Sequence, residues 1–253
     1  MSDKTIVEYQ CEVLNNEVGT LNVEDGYDCD LCKNKGHIAY IKDDRSGVYL
    51  SECKCMPIRK SIQRMSNSGM SGDFNRCTFD DFKATEEWQK KLLQTAKGFC
   101  DDDSAKWFFI GGQVGCGKTH ICTAIVKKYI LDGEKVTYML WCEESKRLKA
   151  VASDDRYSSS LKKYLDAEIL YIDDFLKTRK GVAPTDADIN LAFEIINHRV
   201  IGGDKITIIS SERTLDELIE FDEATMSRIF EKAGRYRLNI PQDIKKNYRL
   251  KGM

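Results

Sequence analysis

Apolar residues in this chain fall into short unbroken runs with longer periodic stretches between them. Trp107-Phe108-Phe109-Ile110 is one run, and it ends in Gly111-Gly112. Val136 to Trp141, Ile169 to Ile172 and Ile206 to Ile209 are three more. Thr119 to Leu131 has the apolar density of a helix packed on a sheet and closes at Asp132-Gly133. Thr185 and Asp188 form a capping pair for a helix that sets Ile189, Ala192, Ile195, Ile196 and Val200 on one face. Strands of four to six apolar residues separated by helices predict an α/β domain with a parallel sheet covered on both sides.

The clearest break is Ser66-Asn67-Ser68-Gly69-Met70-Ser71-Gly72, small, polar and flexible in composition. It divides the chain into an amino-terminal module over 1–72 and a nucleotide-type domain over 73–253. All paired cysteine spacings precede it, and all strand–helix alternation follows it. No repeat or low-complexity tract is present. No run approaches 18 apolar residues, so no membrane helix is expected. The start, Met1 to Thr5, lacks a basic segment followed by an apolar one, so a cytoplasmic protein without a membrane partner is expected.

The formal net charge of −2 conceals a polarity. Residues 1–32 carry eight acidic residues and one Lys, whereas residues 225–253 carry eight Lys or Arg and two acidic residues. The two ends are therefore expected to face different partners. Ten cysteines in a chain without an export signal point to metal binding before disulfides. Cys29-x-x-Cys32 and Cys53-x-Cys55 supply two close pairs, the pattern of a tetrahedral four-thiolate zinc site. An iron–sulfur cluster, or redox-active or merely buried thiols, are the alternatives. The other six cysteines show no partner spacing. The zinc is expected to be structural, because a module of about 70 residues has a small core.

Gly112-Gln113-Val114-Gly115-Cys116-Gly117-Lys118-Thr119 is a complete phosphate-loop motif, directly after a strand and opening a helix. Its glycines let backbone N–H groups wrap phosphates. Lys118 should reach the β- and γ-phosphates of ATP, Thr119 should take a Mg²⁺ position, and the site extends to His120. The third strand ends in Asp173-Asp174. Asp173 should hold Mg²⁺ and Asp174 should polarise the attacking water. The fourth strand ends in Ser210-Ser211, whose hydroxyls are either placed on the γ-phosphate or the water, or cap the strand end.

Together these stretches resemble an AAA+ ATPase of the DnaC/DnaI helicase-loader group, close to the IstB-like ATPases and nearest to the phage and mobile-element type. The carrying residues are the phosphate loop, Tyr171-Ile172-Asp173-Asp174-Phe175, Ile209-Ser210-Ser211-Glu212-Arg213, Ser227-Arg228-Ile229, and Cys29-x-x-Cys32-Lys33-Asn34-Lys35-Gly36 with Cys53-Lys54-Cys55. The resemblance implies an AAA+ P-loop domain preceded by a small zinc module that contacts a hexameric, DnaB-like replicative helicase. It implies that Asp173 and Asp174 are the Walker B acids and that Ser210 or Ser211 is sensor 1. It implies that Arg228 is an arginine finger toward a neighbouring copy, so that the chain self-associates through the ATP site. Thr78 to Phe82 would lie near the adenine.

The chain departs from many AAA+ proteins in having Asp174 where Glu is common and Ser at sensor 1. Only 25 residues follow Arg228, too few for a full helical lid, which leaves Arg235, Arg237 and Arg249 as sensor-2 candidates. Slow ATP hydrolysis, stimulated by partner or DNA, is the resulting expectation. Lys177 to Gly181, and Lys245, Lys246, Tyr248, Arg249 and Lys251, are candidates for single-stranded DNA contact. The expected function is ATP-dependent loading of a replicative helicase onto single-stranded DNA. The alternatives are an IstB-like ATPase that delivers target DNA to a transposase, and a module that binds ATP without hydrolysing it.

Overall fold

The computed structural model describes residues 5–43, 46–67, 76–179 and 181–250. From Ser68 onward, the Ser66–Gly72 break lies outside the described residues, as do Lys180 and Lys251 of the basic runs. The chain divides into two compact units, Met1–Arg64 and Met65–Met253.

In the first unit, helix α1 (Ile6–Asn16) is opened by a reciprocal cap. The Thr5 hydroxyl accepts the Glu8 N–H, and the Glu8 carboxylate accepts the Thr5 N–H. A short helix α2 (Leu21–Asp25) leads to an antiparallel hairpin of β1 (His37–Ile41) and β2 (Val48–Glu52), with His37 opposite Glu52. Asn15 fastens α1 to the hairpin by bonding both the N–H and the C=O of Ala39. Helix α3 (Cys55–Met65) leaves the hairpin base. The buried cluster of this unit is Cys29, Cys32, Cys53 and Cys55, backed by Tyr27, Ile38 and Met56.

The second unit opens with α4 (Glu87–Cys100) and β3 (Trp107–Gly112). There follow α5 (Lys118–Leu131), β4 (Val136–Leu140), α6 (Trp141–Ala150), α7 (Arg156–Leu165) and β5 (Ile169–Asp173). The chain continues through α8 (Asp186–Ile201), β6 (Ile206–Ser211), α9 (Leu215–Ile219), α10 (Glu223–Ala233) and β7 (Arg237–Ile240). The five strands form one parallel sheet in the order β4-β5-β6-β3-β7. The four strands expected from the apolar runs are all present. Trp141 belongs to α6 rather than to the strand before it. Strand β7 was not foreshadowed, because Arg237-Leu238-Asn239-Ile240 is half polar and pairs on one side only.

Strand alternation assigns the two faces. Trp107, Phe109, Leu170, Ile172 and Ile209 join one core with Trp141, Leu161, Leu191, Ile195 and Ile229 of the helices. On the other face Phe108 packs on Phe99 of α4 and Tyr138 packs on Tyr171, with ring centroids 5.4 Å apart in each pair. Because both faces are covered, the strands need no polar alternation, which is why they read as unbroken apolar runs.

A charge lies inside this core. Arg199 of α8 is fully buried. Its guanidinium donates to Thr207 Oγ1 (2.8 Å) and to the carbonyls of Tyr164 (3.1 Å), Ala167 (2.7 Å) and Ile206 (2.6 Å). It ties α7, α8 and the start of β6 at the end of the sheet remote from Asp173. Burial lowers its pKa to about 10, so it remains a cation at neutral pH. Arg199→Ala should cost about 3 kcal/mol or more in urea unfolding, since several buried acceptors lose their donor. Arg199→Lys should recover less than half, because an ammonium does not reproduce the guanidinium fork.

Candidate functional site

The loop 113–117 joins β3 to α5, and two of its glycines are required by space. At Gly112 (φ +110°) an added Cβ would lie 1.9 Å from the Ile240 carbonyl oxygen. At Gly117 (φ +96°), which precedes α5, it would meet the Phe82 ring at 2.7 Å. The loop thus approaches its neighbours as bare backbone, and the first N–H groups of α5 lie beside it. Lys118 is buried, and its Nζ donates to the carbonyls of Gly112 (2.9 Å) and Gln113 (2.7 Å). Burial pulls its pKa down, against the opposing influence of Cys116, Glu212 and Asp174. Cys116 is fully buried. The Gln113 side chain accepts the Asp243 N–H (2.7 Å) and donates to the Val114 carbonyl (2.9 Å). His120 Nε2 bonds the Thr78 carbonyl at 2.7 Å.

The acids come from β5. Ile172 pairs with Ile209 and Leu140 with Asp173, so Asp173 lies between β4 and the Ser210 end of β6. Parity turns it toward the α5 face. There its Oδ1 accepts the Ser210 hydroxyl and lies 3.4 Å from Thr119 Oγ1, and its Oδ2 accepts the Tyr138 hydroxyl (3.1 Å). Burial raises the Asp173 pKa, with the Ser210 hydrogen bond opposing. Asp174 has φ +57° and Leu176 φ +52°, a conformation uncommon outside glycine. This turn leaves Asp174 half-buried in the cleft, its N–H donating to Ser210 Oγ (3.2 Å) and Asp173 Oδ1 (3.1 Å).

Ser210 and Ser211 are both buried, and their hydroxyls are committed. Ser210 braces the two acids, and Ser211 donates to the Phe175 carbonyl (2.9 Å). Neither lines the cleft of about 410 Å³ that holds Lys118, Thr119 and Asp174. Lys177 and Glu212 line it instead, and Lys177 Nζ lies 2.8 Å from Asp174 Oδ2 and 2.8 Å from Glu212 Oε1. These pairings and the Tyr138 hydroxyl escape sequence reading, because they depend on strand register and on the backbone turn at 174–176.

The far wall of the cleft comes from both ends of this unit. Phe82 packs edge-on against His120 and Tyr248, at 5.4 and 6.3 Å between ring centroids. The Tyr248 N–H donates to the Gly115 carbonyl (2.9 Å) and its hydroxyl to the Lys83 carbonyl (2.9 Å). Tyr248 is therefore part of this wall and not an exposed stacking ring on a basic tail. Arg249 lines the cleft, whereas Arg235 pairs with Asp102 (2.5 Å) and Arg237 covers the Phe230 ring. Arg228 sits on α10 with its guanidinium bonded to the Ala224 carbonyl and over the Phe193 ring, outside the cleft's lining.

In the first unit the hairpin brings the two cysteine pairs together. The four Sγ atoms lie within 4.8 Å of one another, with Cys29–Cys53 at 3.9 Å and Cys32–Cys55 at 3.6 Å. A tetrahedron with bonds of about 2.3 Å has edges of about 3.8 Å, so the cluster fits one four-coordinate ion. The turn after Cys32 carries positive φ at Lys33, Asn34 and Gly36, and the Gly36 N–H donates to Cys32 Sγ at 3.3 Å. Buried Arg59 pairs with Asp25 (2.6 Å) and bonds Asn34 Oδ1 (2.9 Å), which in turn holds the Cys29 N–H. Burial raises the Cys55 thiol to about 12, whereas the Gly36 N–H and the neighbouring thiols, acting against burial, lower Cys32 to about 7. His37 stands on β1 and is not a member of the cluster.

A phosphate loop, two carboxylates at the end of the neighbouring strand and a parallel sheet covered on both faces define a P-loop nucleotide-binding protein of AAA+ type. Residues 57–230 match the family described as IstB-like ATP binding protein, and the chain belongs to that family. It is 30% identical to the uncharacterized protein YqaM of Bacillus subtilis (strain 168), over 80% of this chain and 67% of that one. It is 28% identical to the phage-like element PBSX protein XkdC of the same organism, over 90% of this chain and 88% of that one. The crystal structure of the DnaC helicase loader superimposes with a TM-score of 0.56 at 22% identity, covering 67% of this chain and 98% of that one, which shows a shared fold. No helix among the described residues is long and apolar enough to cross a membrane.

Removing one donor from the buried acid tests how the site is braced. Tyr138→Phe should lower the unfolding free energy by about 1–2 kcal/mol. In an Asp173→Ala background the same change should cost less than half as much, read as a double-mutant cycle.

Proposed function

We propose that this protein is an ATP-dependent loader of a hexameric, DnaB-like replicative helicase onto single-stranded DNA. One combination carries the reading: a complete two-acid phosphate-loop site in the second unit and a four-cysteine cluster in the first. The fold shared with the DnaC helicase loader supports it.

In this reading the N–H groups of residues 113–119 and the Lys118 ammonium hold the triphosphate of ATP. Thr119 and Asp173 hold Mg²⁺, which when bound neutralises phosphate charge. Their oxygens are 3.4 Å apart and belong to hard donors, which suits that ion. Asp174 orients the attacking water as it accepts its proton. Ser210 is a positioning residue, since its hydroxyl fixes Asp173 and its oxygen holds the Asp174 N–H. Arg228, outside the cleft of its own chain, is offered to the γ-phosphate bound by a neighbouring copy, so that ATP bridges subunits. Cys29, Cys32, Cys53 and Cys55 hold Zn²⁺, which supplies folding energy to a unit whose buried cluster is little more than those four thiols. Turnover is slow, because Asp174 is short and tied to Lys177.

The family match favours a second reading, delivery of target DNA to a transposase in the IstB manner. Capture of the cognate hexameric helicase, with and without ATP, separates the two. The loader reading expects binding strengthened by ATP, and failure to bind under both conditions would overturn it.

Lys118→Ala should weaken ATP binding by about 10- to 100-fold in a fluorescence titration. Asp174→Asn should leave binding within about threefold and lower turnover by about 100-fold. Purified protein should carry about one zinc per chain by elemental analysis. Cys53→Ser should lose that zinc and unfold the first unit, seen as lost protease resistance before Arg64, while ATP binding by the second unit persists.

A further inference from the structure

Lys177 occupies an unusual position between two clefts. On one side it bridges Asp174 and Glu212 with two contacts of 2.8 Å. The left-handed residues Asp174 and Leu176 make the bridge, folding the chain so that the Lys177 N–H returns to the Asp174 carbonyl at 3.0 Å. On the other side Lys177 lines a separate cleft of about 580 Å³ with Lys146 and Lys149 of α6 and Arg179 of the following loop. Lys149 is held by Asp188 at 2.5 Å. Lys146 and Arg179 are exposed, and neither has an ion-pair partner among the described residues. The second cleft is thus rich in cations, with one acid, Asp188, already paired. Its inner wall is the same ammonium that neutralises the acids of the first.

We propose that Lys177 is a positioning residue that holds Asp174 away from the attacking water. The phosphates of a nucleic-acid strand seated between Lys146 and Arg179 draw the ammonium toward themselves and release that carboxylate. The inference rests on the ATPase reading above and names what regulates that site. Its physical basis is the exposure of the bridge. The Lys177, Asp174 and Glu212 side chains are 34%, 25% and 29% exposed, so the pairs are weak enough to exchange partners. A strand with one charge per phosphate offers Lys177 a competing anion and gains attraction from Lys146 and Arg179 at the same time. No bond is made or broken. One ammonium changes its carboxylate partner for a phosphate, and Asp174 becomes free to accept a proton from water. Phosphate spacing, not base identity, sets this response, because nothing in the cleft presents a base-reading pattern.

The test measures ATP turnover by the full chain with and without oligo(dT). Wild type should be stimulated about tenfold. Lys177→Gln should turn over without DNA at about the stimulated wild-type rate, with its stimulation ratio near one. Lys177→Arg, which keeps the ion pairs, should retain most of the wild-type ratio. Lys146→Gln with Arg179→Gln should weaken oligo(dT) binding and reduce the slope of log affinity against log salt by about 1.4. A Lys177→Gln protein with wild-type basal rate and wild-type stimulation overturns the proposal alone. So does one with a lost basal rate, since Lys177 would then serve the phosphates directly. A wild-type protein that binds ATP and never turns it over, with DNA and helicase present, overturns the ATPase reading and the proposal with it.

Discussion

A carboxylate at the end of a covered strand sets the terms for the rest of this molecule. Asp173 is 5% exposed, and removing an ionised carboxylate from water costs several kcal/mol unless donors replace the water. Three hydroxyls surround it, and each comes from a different element: Thr119 from α5, Tyr138 from the edge strand β4 and Ser210 from β6. The acid is satisfied only when all three elements are in register with β5. A slip of one residue in either neighbouring strand would turn Tyr138 or Ser210 to the opposite face and strand the charge. Closing the sheet and building the site are therefore one event, and a costly buried group reports correct assembly.

Different parts of this arrangement were legible in the sequence for different reasons. The phosphate loop is local: eight consecutive residues specify both the turn and its chemistry, and a strand–turn–helix context follows from the flanking apolar runs. The four strands with both faces buried announce themselves as continuous apolar stretches. The cysteine cluster is legible because two short spacings survive the folding of the hairpin between them. Interactions set by register were not legible. Ser210 reads as a hydroxyl at the phosphate edge, yet the pairing of Ile172 with Ile209 spends it on Asp173 and the Asp174 N–H. Strand β7 was hidden because Arg237 and Asn239 interrupt its pattern. The place of Tyr248 was hidden because basic neighbours make the tail look like a solvated surface.

That tail matters to how the cleft is walled. Ile240 receives the Gln113 N–H, Asp243 donates to the Gln113 side chain, and Asn247 and Tyr248 close on Gly115. Strand β7 is followed by two short turns of tight helix, Ile244–Lys246 and Tyr248–Leu250, and the second brings Tyr248 and Arg249 to the cleft. The glycines of the loop acquire a second reason to be glycine. They admit the tail's backbone and amide, so a Cβ at Gly112 or Gly115 would collide within the protein itself.

The two adjacent acids are held by opposite kinds of interaction, and the division follows from backbone direction. Strand parity turns Asp173 inward, into a cage of hydroxyls where water is excluded and the bonds are strong because nothing competes for them. One residue later the strand has ended and the left-handed turn at Asp174 swings the next carboxylate toward the cleft, where its partner is a half-exposed ammonium. An ion pair at that exposure is worth little in net free energy because water solvates each member nearly as well as the other does. The weakness is what makes it usable. A buried partner for Asp174 would fix its position as firmly as that of Asp173 and leave nothing for another anion to displace. With one acid before the strand end and the next just after it, the fold fixes Asp173 and leaves Asp174 adjustable, within two consecutive residues.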